Sequence, residues 1–292
     1  MNETKKPIVV GIGEILWDML PSGKKAGGAP INFVYHACQM GAIGYAVSAV
    51  GCDADGDEIL FELKKNNINH LITRVNHPTG KVLVKLKDGI PTYDIVEGVA
   101  WDFIPLLEDA KNLVRKADAV CFGTLASRNE NSRQTVINLL QEAPENAIKF
   151  FDINLRSHYY SPELIRQFLH IANVFKINDD EMKVIRDIFD LSGTDKQICE
   201  QLIKQYQLKY LIFTAGEKYS IIYSPTEYSY LDTPKVKVAD TVGAGDAFSG
   251  AFVYDILTGK TMVEAHKDAV KISAFVCTKE GAWPQYTPDM KG

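Results

Sequence analysis

The sequence predicts an α/β fold with a central, mostly parallel sheet, helices on both faces and a small second sheet lying over it as a lid. Two observations carry this reading. Short apolar, β-rich runs alternate with amphipathic helical stretches along most of the 292 residues, the rhythm of parallel strands joined by crossover helices. Residues 81–98 break that rhythm with period-two alternation, the pattern of a half-exposed hairpin that does not belong inside a parallel sheet.

In chain order, buried strands are expected at "IVVGIGEIL" (8–16), "YAVSAVG" (45–51), "DAVCFG" (118–123), "IKFFDIN" (148–154), "NVFKIN" (173–178) and "YLIFTAG" (210–216). Helical patterns lie near 30–41, 56–67, 130–143, 161–172, 179–189 and 195–207. In "KVLVKLK" (81–87), Val82, Val84 and Leu86 fall on one face with lysines mostly on the other, and "PTYDIVEG" (91–98) returns antiparallel after the "KDGI" turn. The chain 1–292 thus reads as one domain, with lid segments at about 13–30 and 80–100 over the carboxyl ends of the main strands. The apolar face of the hairpin needs cover from the main body or a second subunit, so a homodimer paired through it is an expectation.

Composition is that of an ordinary globular protein, 46% hydrophobic and 24% charged. A net charge of −5 gives no general attraction to nucleic acid or to an anionic membrane. An anionic ligand must therefore be held by a local site. The five cysteines are scattered without a C-x-x-C pair, which reads as reduced, mostly buried thiols in a cytoplasmic protein. "MNETKKPIVV" lacks the longer apolar core of a signal peptide, and no run of about 18 apolar residues exists for a membrane span. The six histidines show no H-x-x-x-H or H-E-x-x-H spacing, which argues against a histidine-based metal site. His36, in an apolar helical pattern, reads as a core residue.

Familiar phosphate signatures fail. "GKT" (259–261) would need glycine at Tyr254 to complete a P-loop, and the paired glycines 243/245 and 11/13 are followed by Phe248 and Leu16 where a dinucleotide fingerprint needs glycine. "DTVGAGDAFSGAF" (240–252) nevertheless has a physical reading. Gly243, Ala244 and Gly245 can form a tight turn whose N–H groups converge at a helix start, where the dipole also favours an anion. The following "AFSGAFVYDIL" has the small and apolar residues of a buried helix, which puts Asp246 in its first turn. Asp246 is then either a stabilising helix charge or a base that accepts a proton from a hydroxyl attacking a bound phosphoryl group.

"DTVGAGDAFSGAF" resembles the C-terminal signature of the PfkB, or ribokinase-like, sugar kinases, and "GGAPINFVYHACQMG" (27–41) resembles their N-terminal signature. The resemblance covers essentially the whole chain and implies a ribokinase-like three-layer α/β/α fold. It implies that Gly243, Ala244 and Gly245 form the anion hole and that Asp246 is the catalytic base. Three further clusters fit. In "FDINLR" (151–156), Asp152, Asn154 and Arg156 stand at i, i+2 and i+4, and an extended chain would aim all three to one side at a strand's carboxyl end. Surface solubility could explain such a trio too, although the apolar "IKFF" before it argues otherwise. The resemblance makes it the D-x-N-x-R of fructokinases, with Asp152 and Asn154 binding substrate and Arg156 near the transferred phosphate, where a fixed guanidinium suits the charge better than lysine. "NDDE" (178–181) is a capping box, Asn178 with Glu181. It also matches the family's N-x-x-E motif, which acts on the Mg²⁺ and phosphate site through water. "TAGEKYS" (214–220) resembles the nucleotide segment, with Thr214 and Gly216 near phosphates or ribose, while Tyr219 stands where glycine is common.

The resemblance further implies that Asp18 in "GEILWDMLP" (13–21), the Gly27 and Gly28 amides and Asn32 bind sugar hydroxyls. A bidentate carboxylate facing vicinal hydroxyls is sound polyol chemistry, although a surface aspartate before a turn would also fit the string. "CTKEGAWP" (277–284) resembles the loop beside adenine. There Asp240 and main-chain carbonyls of Val242, Val276, Lys279 and Gly281 could hold K⁺, since a hard cation takes oxygen ligands. Gln285 replaces a hydroxyl residue found in some relatives. "GGAP", D-x-N-x-R and the lid run "PTYDIVEGVAWDFI" (91–104) stand closest to fructokinases. The expected activity is therefore ATP- and Mg²⁺-dependent phosphorylation of fructose at O6. The alternatives are 2-keto-3-deoxygluconate kinase, ribokinase or nucleoside kinase activity, or an inactive sugar-binding regulator.

Overall fold

The structure is a computed structural model and describes residues 5–20, 23–87 and 90–290. The strands among these residues are β1 Ile8–Ile12, β2 Leu16–Leu20, β3 Gly23–Gly27, β4 Ile43–Gly51, β5 Asn69–Val75, β6 Gly80–Lys87, β7 Ile90–Ile95, β8 Ala119–Gly123, β9 Ile148–Asp152, β10 Val174–Asn178, β11 Tyr210–Thr214, β12 Tyr219–Tyr223 and β13 Tyr228–Asp232. The helices are α1 Ala29–Met40, α2 Ala54–Lys65, α3 Glu108–Val114, α4 Glu130–Glu142, α5 Pro162–Ile171, α6 Asp179–Phe189, α7 Asp195–Tyr206, α8 Ala244–Leu257 and α9 Met262–Cys277. The main sheet has the order β13-β12-β11-β10-β9-β8-β1-β4-β5. Every neighbouring pair from β11 to β5 is parallel, and β12 and β13 add an antiparallel edge.

The expected three layers follow from the pleat, which sends successive side chains to opposite faces. Val10, Phe151, Phe175 and Phe213 pack into one core against α3 to α7. Their neighbours Val9, Phe150, Val174 and Ile212 pack into a second core against α1, α2, α8 and α9. Strands buried on both faces must be apolar throughout, which is why continuous runs rather than alternation marked them.

The smaller sheet has the order β3-β2-β6-β7, and β6 pairs antiparallel with β7, placing Val82 opposite Ile95. The expected hairpin is therefore present, but the turn at 88–89 and the side chains of Val84 and Leu86 lie outside what is described. One expectation is corrected. The run 8–16 is not a single strand: it breaks after Ile12, so that β1 stays in the main sheet while β2 crosses to the small one. Gly13, at φ +155°, makes the exit while its N–H bonds Val47 O at 3.1 Å. Uniform hydrophobicity on both sides concealed the break. The strands β5, β12 and β13 were not anticipated, being short or mixed in polarity, whereas β3 falls in the expected lid segment.

His36 is fully buried, with Nδ1 2.6 Å from the Tyr286 hydroxyl, and burial pushes its pKa down to about 3. The cysteines are free thiols, but not mostly buried: Cys121 and Cys199 are buried, Cys38 and Cys277 are half-buried and Cys52 is exposed. Among the described residues no helix is long and apolar enough to cross a membrane.

The segment after β7 is pinned to the main body by a buried ion pair. Arg128 Nε bonds Asp102 Oδ1 at 2.7 Å, and Nη2 reaches Asp102 Oδ2 at 2.8 Å and Val96 O at 2.6 Å. The guanidinium also lies over the Trp101 and Tyr159 rings, 4.0 and 4.6 Å from their centroids. Removing one member of such a pair strands a charge out of water. Arg128→Met is expected to lower the unfolding free energy by about 3–5 kcal/mol, read as a fall in the urea midpoint.

Candidate active site

The functional side chains come together at the carboxyl ends of β1, β9, β10 and β11, where open α/β sheets place ligands, and at the start of α8. Gly243 precedes that helix at φ +77°, and a Cβ there would stand 2.8 Å from Ala282 Cβ. Both the left-handed backbone and the close approach require glycine. No side chain caps α8, so the first-turn amides, including those of Gly245 and Asp246, face outward without a capping oxygen. Gly245 is exposed. An uncapped helix start of this kind is a fitting seat for a phosphoryl group.

Asp246 is half-buried beside this turn. Its Oδ2 accepts a hydrogen bond from Asn32 Nδ2 at 2.8 Å. Burial, with Asp152 adding to it, raises its pKa to about 6, while Lys176, the Asn32 amide and Arg156 pull the other way. A carboxyl poised in that range can both lose and take a proton near neutrality.

Asp152 pairs with Lys176, Nζ to Oδ2 at 2.5 Å, and both are buried. The parallel register of β9 and β10 makes the two residues direct neighbours. Lys176 Nζ also lies 3.3 Å from where a Gly245 side chain would begin, so a buried ammonium underlies the amide turn. Burial disfavours that charge, yet Asp152 and Asp246 hold the Lys176 pKa above its ordinary value.

The expectation that Asp152, Asn154 and Arg156 share one extended face is corrected. β9 ends at Asp152, and Asn154 takes a left-handed φ of +39°, a conformation asparagine tolerates better than most residues. Asn154 lines a small cavity with Glu14, Thr124 and Asp152, while Arg156 is exposed, its Nη1 bonding Leu155 O at 3.1 Å. The loop is tied down by Glu181. Its Oε1 accepts from Leu155 N and its Oε2 from Asn178 N, each at 2.9 Å, and Asn178 Oδ1 accepts from Glu181 N at 2.8 Å. The expected capping box is thus present, with an added hold on the Arg156 loop. Asn178 pairs with Thr214 across β10 and β11, and Gly216, at φ +54°, accepts the Thr233 hydroxyl at 2.9 Å.

On the opposite side Asp18 Oδ2 stands 2.6 Å from where a Gly27 Cβ would be, so the carboxylate and the Gly27–Gly28 turn share one wall. Burial pushes the Asp18 pKa up to about 6 against the pull of Arg156. A Cβ on Gly28, at φ +124°, would lie 2.1 Å from Glu14 O. Asp240 Oδ1 accepts from Val242 N and Oδ2 from Gly281 N, both at 3.0 Å, and Val276 O accepts from Lys279 N at 2.9 Å. The five residues expected around a monovalent cation are therefore held in one neighbourhood. Among the described residues no group of three or more His, Cys, Asp or Glu is placed to hold a metal ion.

Three residues of the site were missed. Lys176 stands inside the apolar run "NVFKIN" and Glu14 inside "IVVGIGEIL". A charge within a doubly buried strand was the available signal. Glu14 Oε1 accepts from Ala29 N at 3.2 Å, and burial raises its pKa to about 7. Trp283, the third, donates Nε1–H to Asn32 Oδ1 at 2.8 Å, and nothing in the local sequence announces it.

An uncapped helix start with a carboxylate beside it suits the transfer of a phosphoryl group to a hydroxyl. The chain matches the model of the pfkB family carbohydrate kinases over residues 22–288 and belongs to that family. It is 28% identical to the Arabidopsis thaliana protein named "Probable fructokinase-4", over 96% of this chain and 94% of that one. The fold is similar to that of Xylella fastidiosa fructokinase with bound ATP, at a TM-score of 0.86 and 21% identity, covering 96% of this chain and 94% of the other. It is also similar to Vibrio cholerae fructokinase in a form binding fructose, ADP and calcium ion, at a TM-score of 0.81 and 21% identity over 96% and 95% of the two chains.

The Asp152–Lys176 pair is testable by a double-mutant cycle. Lys176→Met alone is expected to cost about 3–5 kcal/mol in urea unfolding because Asp152 is left buried and unpaired. Adding Asp152→Asn should recover part of that loss, so the double variant is more stable than the sum of the single changes requires.

Proposed function

We propose that this sugar kinase transfers the γ-phosphoryl group of ATP to a primary hydroxyl, converting D-fructose to fructose 6-phosphate. The observation that carries the reading is Asp246 standing beside an uncapped helix start, and Asp18 set against the Gly27–Gly28 turn supports it. Fructose is favoured by the "GGAP" and D-x-N-x-R strings and by the relative named fructokinase.

Asp18 and the Gly27 and Gly28 amides bind sugar hydroxyls, and Asp246 aligns the attacking hydroxyl and takes its proton as the new O–P bond forms. The amides of Gly243, Ala244 and Gly245, the α8 dipole, Lys176 and Arg156 counter the charge spreading over the transferred phosphoryl oxygens. Thr214, Gly216 and Asn178 line the nucleotide side. Glu181 is a positioning residue, its two oxygens holding the backbone N–H groups of Leu155 and Asn178. Mg²⁺, when bound with ATP, would neutralise phosphate charge at this place. Asp240 with the carbonyls of Val242, Val276, Lys279 and Gly281 would hold K⁺, the oxygen set such an ion prefers. The chain acts as one cytoplasmic domain in which the small sheet closes as a lid and excludes water. Two copies pair through the β6–β7 hairpin.

Asp246→Asn is expected to lower kcat by about 10²–10⁴-fold with sugar affinity within a few-fold, and ordinary turnover in that variant would refute the base assignment. A coupled ADP-release assay over fructose, 2-keto-3-deoxygluconate, ribose and nucleosides should show the highest kcat/KM on fructose. Sugar binding without ATP turnover would indicate a regulator instead. Light scattering at micromolar concentration should give a dimer, and a monomer there would remove the hairpin pairing.

A further inference from the structure

Asn32, expected to bind sugar, has a partner inside the protein at each end of its amide. It is 5% exposed. Its Nδ2 donates to Asp246 Oδ2 at 2.8 Å, and its Oδ1 accepts from Trp283 Nε1 at 2.8 Å. An indole N–H can only donate. It therefore fixes which end of the amide faces it, and that choice leaves only the NH₂ end for Asp246. Trp283 is itself locked: its ring stacks on Tyr35 at 5.5 Å and 9°, and Tyr35 Oη donates to Trp283 O at 2.9 Å. The adjoining Ala282 packs against Gly243, so the loop that holds Asn32 also abuts the anion turn.

We propose that Trp283 and Asn32 form a one-way hydrogen-bond relay that aims Asp246 and holds it ionised, which makes both of them positioning residues for the base. The inference rests on the proposed role of Asp246 as base. A flipped amide would present oxygen to Asp246, which a carboxylate repels and a protonated carboxyl welcomes. Donation from Asn32 instead favours the charged form, opposing burial. The other charged or titratable groups facing Asp246 are Asp152 and Arg156 around the end of β9, Lys176 on β10, Glu14 after β1 and Cys121 on β8. The indole N–H is donated to Asn32, so a change at the indole reaches Asp246 through that amide.

Trp283→Phe keeps a ring to stack on Tyr35 and removes only the donor. The measurement is the pH dependence of kcat/KM for the sugar, which reports the ionisation of the free enzyme. With the donor gone the acid limb is expected to move up by about one pH unit, giving roughly a ten-fold loss well below the limb and near wild-type values at alkaline pH. Asn32→Asp, of nearly the same shape, places a second carboxyl against the base and should move the limb further. Urea midpoints near wild type establish that both variants fold. A loss of the same factor at every pH would mean a lost sugar contact, and a profile superimposed on wild type would mean no relay; either overturns the proposal. If Asp246→Asn remains active, the base assignment falls and the relay with it. If Asp246→Asn is dead while the Trp283→Phe limb is unmoved, the relay alone falls.

Discussion

A carboxylate drawn out of water keeps its charge only where the protein replaces the solvent, and the site is organised around that constraint. Asp246 is held by an amide donor on one side and shares a buried ammonium with Asp152 on the other. Lys176 is thus common to two acids, and it also sits under the turn that is to receive an anion. Without that cation, Asp152 and Asp246 would repel one another in a poorly screened place.

The scaffold supplies this arrangement through register. β9 and β10 are parallel and place Asp152 level with Lys176, so the backbone brings the two charges together. The loops above are then fastened one to another. Glu181 holds the backbone at Leu155, Asp240 holds that at Gly281, and Trp283 holds Asn32. Arg156 is the exception: its guanidinium is exposed, while the backbone beside it is fixed through Leu155.

The small sheet shows how one strand run serves two bodies. β1 and β2 are separated only by the segment around Gly13 and Glu14. Glu14 thereby lies in the link between the two sheets, and Asp18 lies on the small one. Arg128, pinned between Asp102, Trp101 and Tyr159, anchors the other end of the small sheet beside the Arg156 loop.

Much of the fold was legible because it rests on local physics. Strands buried on both faces are forced to be apolar, "NDDE" caps its own helix, and the Gly243–Gly245 turn with Asp246 needs only neighbours in the chain. Side-chain partners were not legible in the same way. Asn32 meets Trp283 and Asp246 across the whole length of the fold, and Lys176 meets Asp152 because of strand register. The Asp152–Asn154–Arg156 trio separates because Asn154 turns left-handed where an extended run was expected. The residue types and their order were thus determined by the sequence alone. Which acid is free to act, and which is neutralised by a neighbour, was decided only by the tertiary structure, because pairing depends on distances that no local pattern encodes.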